Sequence, residues 1–199
     1  SFAVKKFIDP FKHEKRAQRC HRELQILKAL EHDNIVKMIG VYTTDPCKHE
    51  LENIYLVTEY CGPDLAKILS KETEQNHIFD IHTIRRMISE LLQAVKYLNS
   101  AGVIYRDIKP ENMAINRDGK LTLIEFGFAR AIDKDDMKMT RDPGSSLYRA
   151  IETISFLGDE NMVYTEKGTI SRISCKHVAD IWSIGALFCE MVIGTPIFE

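Results

Sequence analysis

The chain has 199 residues, 44% hydrophobic and 28% charged, enough for one or two domains with a real core. A net charge of −2 gives no electrostatic footprint for nucleic acid, so none is expected as a partner. The five cysteines (Cys20, Cys47, Cys61, Cys175, Cys189) are odd in number and form no C-x-x-C, so they read as reduced thiols of a cytosolic or nuclear protein. The most apolar run, Ile181 to Ile193, is broken by Ser183 and Glu190 and is too short to span a bilayer. The opening S-F-A-V-K-K lacks the apolar core of a signal peptide, so no membrane partner is expected.

Phe2 to Phe7 has the apolar character of a strand, and Lys12 to Leu30 reads as a charged helix with an apolar stripe at Leu24, Leu27 and Leu30. Ile35 to Tyr42 and Asn53 to Tyr60 read as two further strands. Cys61-Gly62-Pro63 is a breaker and the expected lobe boundary. Ile81, Ile84, Ile88, Leu91, Val95 and Leu98 recur in steps of three and four, the period of a helix, with Gly102 suited to its C-terminal end. Met113 to Asn116 and Lys120 to Ile124 form a hairpin through Arg117-Asp118-Gly119. Phe126 to Glu152 is polar and irregular, and Val178 to Ile193 is a nearly all-apolar helix expected to be buried. Strands first and helices after predict an α+β protein in two lobes, residues 1–61 and 62–199. Both ends are expected to be cut from something longer.

Val103 to Asn112 reads V-I-Y-R-D-I-K-P-E-N and places Asp107, Lys109 and Asn112 between the helix and the hairpin. Asp107 can accept a proton from an attacking hydroxyl. Lys109 can neutralise a moving phosphoryl group, and the Asn112 carboxamide oxygen can hold Mg²⁺. The run resembles the catalytic loop of protein kinases, with Tyr105 where the family usually has His.

That resemblance gives meaning to residues that would otherwise be ordinary. Lys5 in A-V-K-K resembles the strand lysine that contacts the α/β-phosphates of ATP and pairs with a helix glutamate, here Glu23. N-I-Y-L-V-T-E-Y-C-G-P-D, from Asn53 to Asp64, resembles the segment between the lobes. Backbone groups of Glu59 and Cys61 would then meet an adenine edge, Thr58 would stand behind it, and Asp64 would reach the ribose. L-I-E-F-G resembles D-F-G with Glu125 in place of the metal-binding Asp. Mg²⁺ demands near-ideal octahedral geometry. An extra methylene therefore keeps the charge but predicts impaired rather than abolished metal binding.

M-T-R-D, from Met139 to Asp142, stands where mitogen-activated protein kinases carry T-x-Y, and Tyr148 to Glu152 resembles their Y-R-A-P-E. Together with K-K-F-I-D-P-F and R-E-L-Q-I-L-K, these stretches look most like the p38 branch. The resemblance implies that Thr140 is phosphorylated, while Asp142, with Arg149 as its expected partner, supplies a permanent charge where the family has Tyr. Arg19 and Arg22 lie on one face of their helix. With Arg106 and Arg130 they make four cations where the family gathers arginines around the phosphothreonine. Ser145 stands at a substrate-binding threonine position, with no Trp and an added Pro143-Gly144 nearby, so selection for Pro after the target residue should be weakened. Glu152 and Asp180 resemble structural carboxylates, Asp180 bracing the catalytic loop through backbone donors.

The resemblance thins only between Ile154 and His177, which reads as an insertion. The family's glycine-rich turn would precede Lys5. The implied function is a protein serine/threonine kinase using ATP and Mg²⁺. Its expected partners are protein substrates and an upstream mitogen-activated protein kinase kinase, and a monomer in the cytoplasm or nucleus is expected. The rival reading is a pseudokinase scaffold or allosteric partner, favoured by Glu125, Tyr105 and Ile151. A fragment with no biochemical role is the third.

Overall fold

A computed structural model describes residues 1–47, 51–74, 79–131, 147–150 and 172–198, with backbone alone for 71–74 and 172–177. The sequence's first strand, β1 (Phe2–Phe7), alternates exposed and half-buried residues, the period of a strand with one face covered. It pairs antiparallel with β3 (Ile54–Glu59), which pairs with β2 (Met38–Tyr42), giving the order β1-β3-β2. Lys5 stands opposite Leu56, which is buried. Helix α1 (Glu14–Ala29) buries Cys20, Glu23, Ile26 and Leu27, a stripe at helical spacing.

The strand expected over Ile35 to Tyr42 begins only at Met38. Its first residues spend their backbone groups elsewhere. Val36 N–H donates to the Leu123 carbonyl at 2.9 Å, and Leu123 N–H donates to that of Asn34 at 2.9 Å. Asn34 Nδ2 adds a bond to the Leu121 carbonyl at 2.7 Å. Residues 34–36 thus staple the upper sheet to β6 (Leu121–Leu123), and one hydrophobic core runs from Ile26, Leu27 and Leu56 to Leu121 and Leu123.

Gly62 follows β3 with φ of +109°, and a Cβ there would lie 2.1 Å from the Ile115 carbonyl oxygen. Only glycine fits both constraints. The pattern-based reading missed the next element, α2 (Leu65–Glu74), which is capped by Asp64 through Lys67 N–H at 2.9 Å. Helix α3 (Ile81–Ser100) starts at Asp80, whose carboxylate accepts from His82 and Thr83 N–H, and ends ahead of Gly102 at φ +68°. Its buried stripe is Ile84, Met87, Leu91, Ala94, Val95 and Leu98.

Strands β4 (Val103–Ile104) and β5 (Met113–Ile115) flank the loop of residues 105–112, and β5 pairs with β6. The stretch read as irregular after Phe126 contains a short strand, β7 (Arg130–Ala131), paired with β4.

Helix α4 (Arg172–Ile193) starts six residues before the apolar run and packs on α3. It is not buried all round as its composition implies. Ile184, Leu187 and Met191 are buried, but Ile181, Trp182, Phe188 and Ile193 are exposed among the described residues. An apolar helix shows which residues can be buried, not which side has a neighbour. No helix among the described residues is long and apolar enough to cross a membrane.

Candidate active site

The catalytic-loop sequence folds into an extended turn closed by a short 3-10 turn, Pro110–Asn112. Its geometry starts from below, at Asp180 on α4. This carboxylate is 1% exposed and accepts from Tyr105 N–H at 2.9 Å and Arg106 N–H at 2.8 Å. Burial pushes its carboxyl up to about 6, and the two backbone donors and Arg106 work against that rise. Between these bonds Arg106 holds φ at +69°, a conformation L-residues seldom adopt. Here the fold imposes it.

With the turn fixed, Asp107, Lys109 and Asn112 converge. Asn112 Nδ2 donates to the Asp107 carbonyl at 2.8 Å and to its carboxylate at 2.6 Å, while Lys109 Nζ lies 3.3 Å from that same oxygen. The Asp107 side chain is 11% exposed, so its carboxylate is oriented yet still open to a partner. Tyr105 is fully buried, edge-on to Phe126 with ring centroids 5.2 Å apart. Its hydroxyl donates to the Asn112 carbonyl at 3.4 Å. Tyr105 therefore packs the 105–112 loop onto the E-F-G segment.

Above the loop, Lys5 Nζ bonds Glu23 Oε1 and Glu125 Oε2, each at 2.6 Å. Burial pulls the Lys5 ammonium down, but Glu23 and Glu125 outweigh it and leave the lysine above its ordinary value. Burial pushes the Glu23 carboxyl up, with Lys5 opposing. The Lys5–Glu23 pair joins β1 to α1. The Glu125 contact joins both to the loop after β6.

Among the residues between the lobes, Glu59 uses its side chain to accept from Lys37 N–H at 3.2 Å, and its carbonyl faces the Cys61 thiol at 3.8 Å. Thr58 is half-buried on β3. Asp64 has one carboxylate oxygen on Lys67 N–H, and the other is 2.6 Å from Lys67 Nζ.

The arginines do not all act alike. The Arg19 guanidinium lies over the Phe128 ring at 3.7 Å, and Arg106 Nε donates to the Phe128 carbonyl at 2.8 Å, so both converge on residue 128. Arg22 follows one turn after Arg19, and Arg130 stands on β7. Thr140, Asp142, Ser145 and Glu152 lie outside the described residues. Arg149 is described, in the segment after Tyr148. That segment is anchored on α4: Tyr148 Oη donates to Glu190 Oε2 at 2.5 Å, and Ser183 Oγ donates to the Tyr148 carbonyl at 2.6 Å.

Sequence reasoning missed these anchors, and missed Asn34. In the sequence Glu190 and Ser183 only interrupt an apolar helix, which is itself a signal: a polar residue inside such a run needs a partner.

The whole chain, residues 1–199, matches the family described as protein kinase domain. It belongs to the protein kinase family. Mitogen-activated protein kinase pmk-3 of Caenorhabditis elegans is 33% identical over 198 residues, covering 98% of this chain and 38% of the relative. Mitogen-activated protein kinase 12 of Mus musculus is 34% identical over 197 residues, covering 99% of this chain and 47% of the relative. Human mitogen-activated protein kinase 13 is 33% identical over 197 residues, again with 99% and 47% covered. The chain therefore spans about half the length, or less, of these curated relatives. The α+β arrangement is that of a protein kinase domain.

Proposed function

We propose that the chain carries the catalytic centre of a serine/threonine kinase of mitogen-activated type, acting inside the cell on protein substrates under an upstream kinase. Gly62 would divide residues 1–61 from 62–199. The observation that carries the reading is the convergence of Asp107, Lys109 and Asn112 beneath the Lys5–Glu23 pair, with Glu125 bonded to Lys5 between them.

The chemistry follows from those positions. A substrate Ser or Thr hydroxyl hydrogen-bonds to the Asp107 carboxylate, which takes its proton as the oxygen attacks the γ-phosphorus of ATP. The new O–P bond forms as the bond to the β-phosphate oxygen breaks, and ADP leaves. Asn112 keeps the Asp107 carboxylate aimed, and Lys109 lies near enough to balance charge on the moving phosphoryl group. Lys5, rooted by Glu23, would hold the α/β-phosphates.

The donors present fit Mg²⁺ in kind. Asn112 turns its amide nitrogen to Asp107 and so its oxygen to the other side, Glu125 is a carboxylate, and Ile124 N–H donates to the Asn112 carbonyl at 3.0 Å, holding the two segments together. When bound, Mg²⁺ supplies neutralisation of phosphate charge. Engagement of Glu125 by Lys5 supports impaired metal binding. It is also the observation that favours the second reading, a pseudokinase.

Transfer of labelled γ-phosphate from ATP to a Ser/Thr peptide array tests the proposal. Label on Ser or Thr, with weak preference for a following Pro and dependence on phosphorylated Thr140, is the expected result. No transfer under any divalent condition leaves the pseudokinase.

A further inference from the structure

One ammonium and two carboxylates meet where the proposed nucleotide phosphates would lie. Lys5 is shared equally, at 2.6 Å, between Glu23 and Glu125. The two carboxylates differ in everything else. Glu23 is 2% exposed and fixed on α1, whereas Glu125 is 38% exposed and lies 120 residues from Lys5 in the loop after β6. The trio carries one positive and two negative charges, so its formal sum is negative where an anionic polyphosphate would bind. The contact depends on the length of glutamate. The backbone at 125 is pinned on both sides, by Ile124 N–H on Asn112 and by fully buried Phe126. An aspartate on that backbone falls about 1.5 Å short, more than an ion pair at bonding distance tolerates.

We infer that Glu125 is an internal cap on Lys5, held there without nucleotide and displaced when phosphate oxygens bind. The inference rests on the reading of Lys5 as a nucleotide contact. It gives Glu125 a role opposite in sign to that of a simple metal ligand. A carboxylate that only ligates metal repels metal-free phosphates through space but leaves the reactivity of Lys5 unchanged, whereas a cap also masks the Lys5 ammonium. A cap competes directly with the phosphates, so removing its charge strengthens metal-free binding. Glu125 also leaves Lys5 more readily when a cation offers it another partner, so nucleotide binding depends steeply on divalent ions.

The test uses two readouts on the wild-type protein, Glu125→Gln and Glu125→Ala. The first is acetylation of Lys5 by an amine-selective N-hydroxysuccinimide ester, followed by peptide mass spectrometry with exposed Lys6 as internal reference. The second is ATP binding in EDTA, by calorimetry. The cap predicts faster Lys5 acetylation relative to Lys6 and about tenfold tighter metal-free ATP binding in both variants, the scale of one lost charge contact. Unchanged Lys5 acetylation in both variants overturns the cap. Faster acetylation with weaker metal-free ATP binding overturns the competition. Faster acetylation with no ATP binding by any of the proteins, with or without Mg²⁺, upholds the cap and removes instead the nucleotide reading of the site.

Discussion

Two buried carboxylates border the candidate active site, and they are satisfied in opposite ways. Asp180, below the catalytic loop, accepts from two backbone N–H groups that cannot move without unfolding the turn. Glu23, above it, is satisfied by the side chain of Lys5, which is 34% exposed and already shared with Glu125. Backbone donors make a fixed brace and a long cation makes an exchangeable one. The lower region holds the groups that would take the proton and must not drift. The upper region would hold phosphates that come and go.

The largest expected effect lies in the fixed region. Asp107→Asn keeps the shape of the loop but removes the proton acceptor, and phosphoryl transfer should fall by roughly 10²–10⁴-fold. Steady-state labelling of a peptide substrate measures it, and full retention of rate would break the assignment of Asp107.

Removing the brace itself comes next. Asp180→Ala leaves the Tyr105 and Arg106 N–H groups buried without acceptors and Arg106 without support for its positive φ. About 2–4 kcal/mol of stability should be lost, read from denaturant midpoints at constant slope. The corresponding change above the loop, Glu23→Gln, should cost less than this, since Lys5 keeps Glu125. Equal losses would erase the contrast between the two regions.

A smaller effect is expected from pH. Burial raises the Asp180 carboxyl to about 6, above its value in an unfolded chain. The folded state then binds more protons between those values, so the Asp180 contribution is fully present below about pH 4 and is lost as pH rises through about 6. The expected loss is on the order of 2–3 kcal/mol, and Asp180→Asn should flatten that part of the profile. Thermal melts from pH 4 to 7 on both proteins check it.

The two regions were unequally legible in the sequence. Asp107, Lys109 and Asn112 lie within six residues, and the chemistry of such a run shows in its residue types. Helix α3 announced itself because its buried stripe repeats at the helical period and Gly102 ends it. The Lys5–Glu125 pair spans 120 residues, and no local pattern brings its members together. The resemblance assigns Lys5 to phosphates and Glu125 to metal, and neither assignment implies a bond between the two. Ile35 and Val36 have the side chains of a strand, but backbone bonding decides strands, and theirs goes to β6. Helix α2 was missed because ten residues after a Gly-Pro break offer little periodicity to count. The exposed apolar side of α4 shows the same limit: composition reports a preference for burial, and tertiary contacts decide which side receives it.

The most direct test of the account is the rate of phosphoryl transfer by Glu125→Asp against the wild-type protein at saturating Mg²⁺ and ATP, with Asp107→Asn in both backgrounds as control. If Glu125 is too long for its metal position once nucleotide has displaced it from Lys5, the shorter side chain should raise the rate by about tenfold, roughly 1.4 kcal/mol of barrier. The control should fall by the same roughly 10²–10⁴-fold in both backgrounds. An unchanged or lower rate in Glu125→Asp would contradict the account.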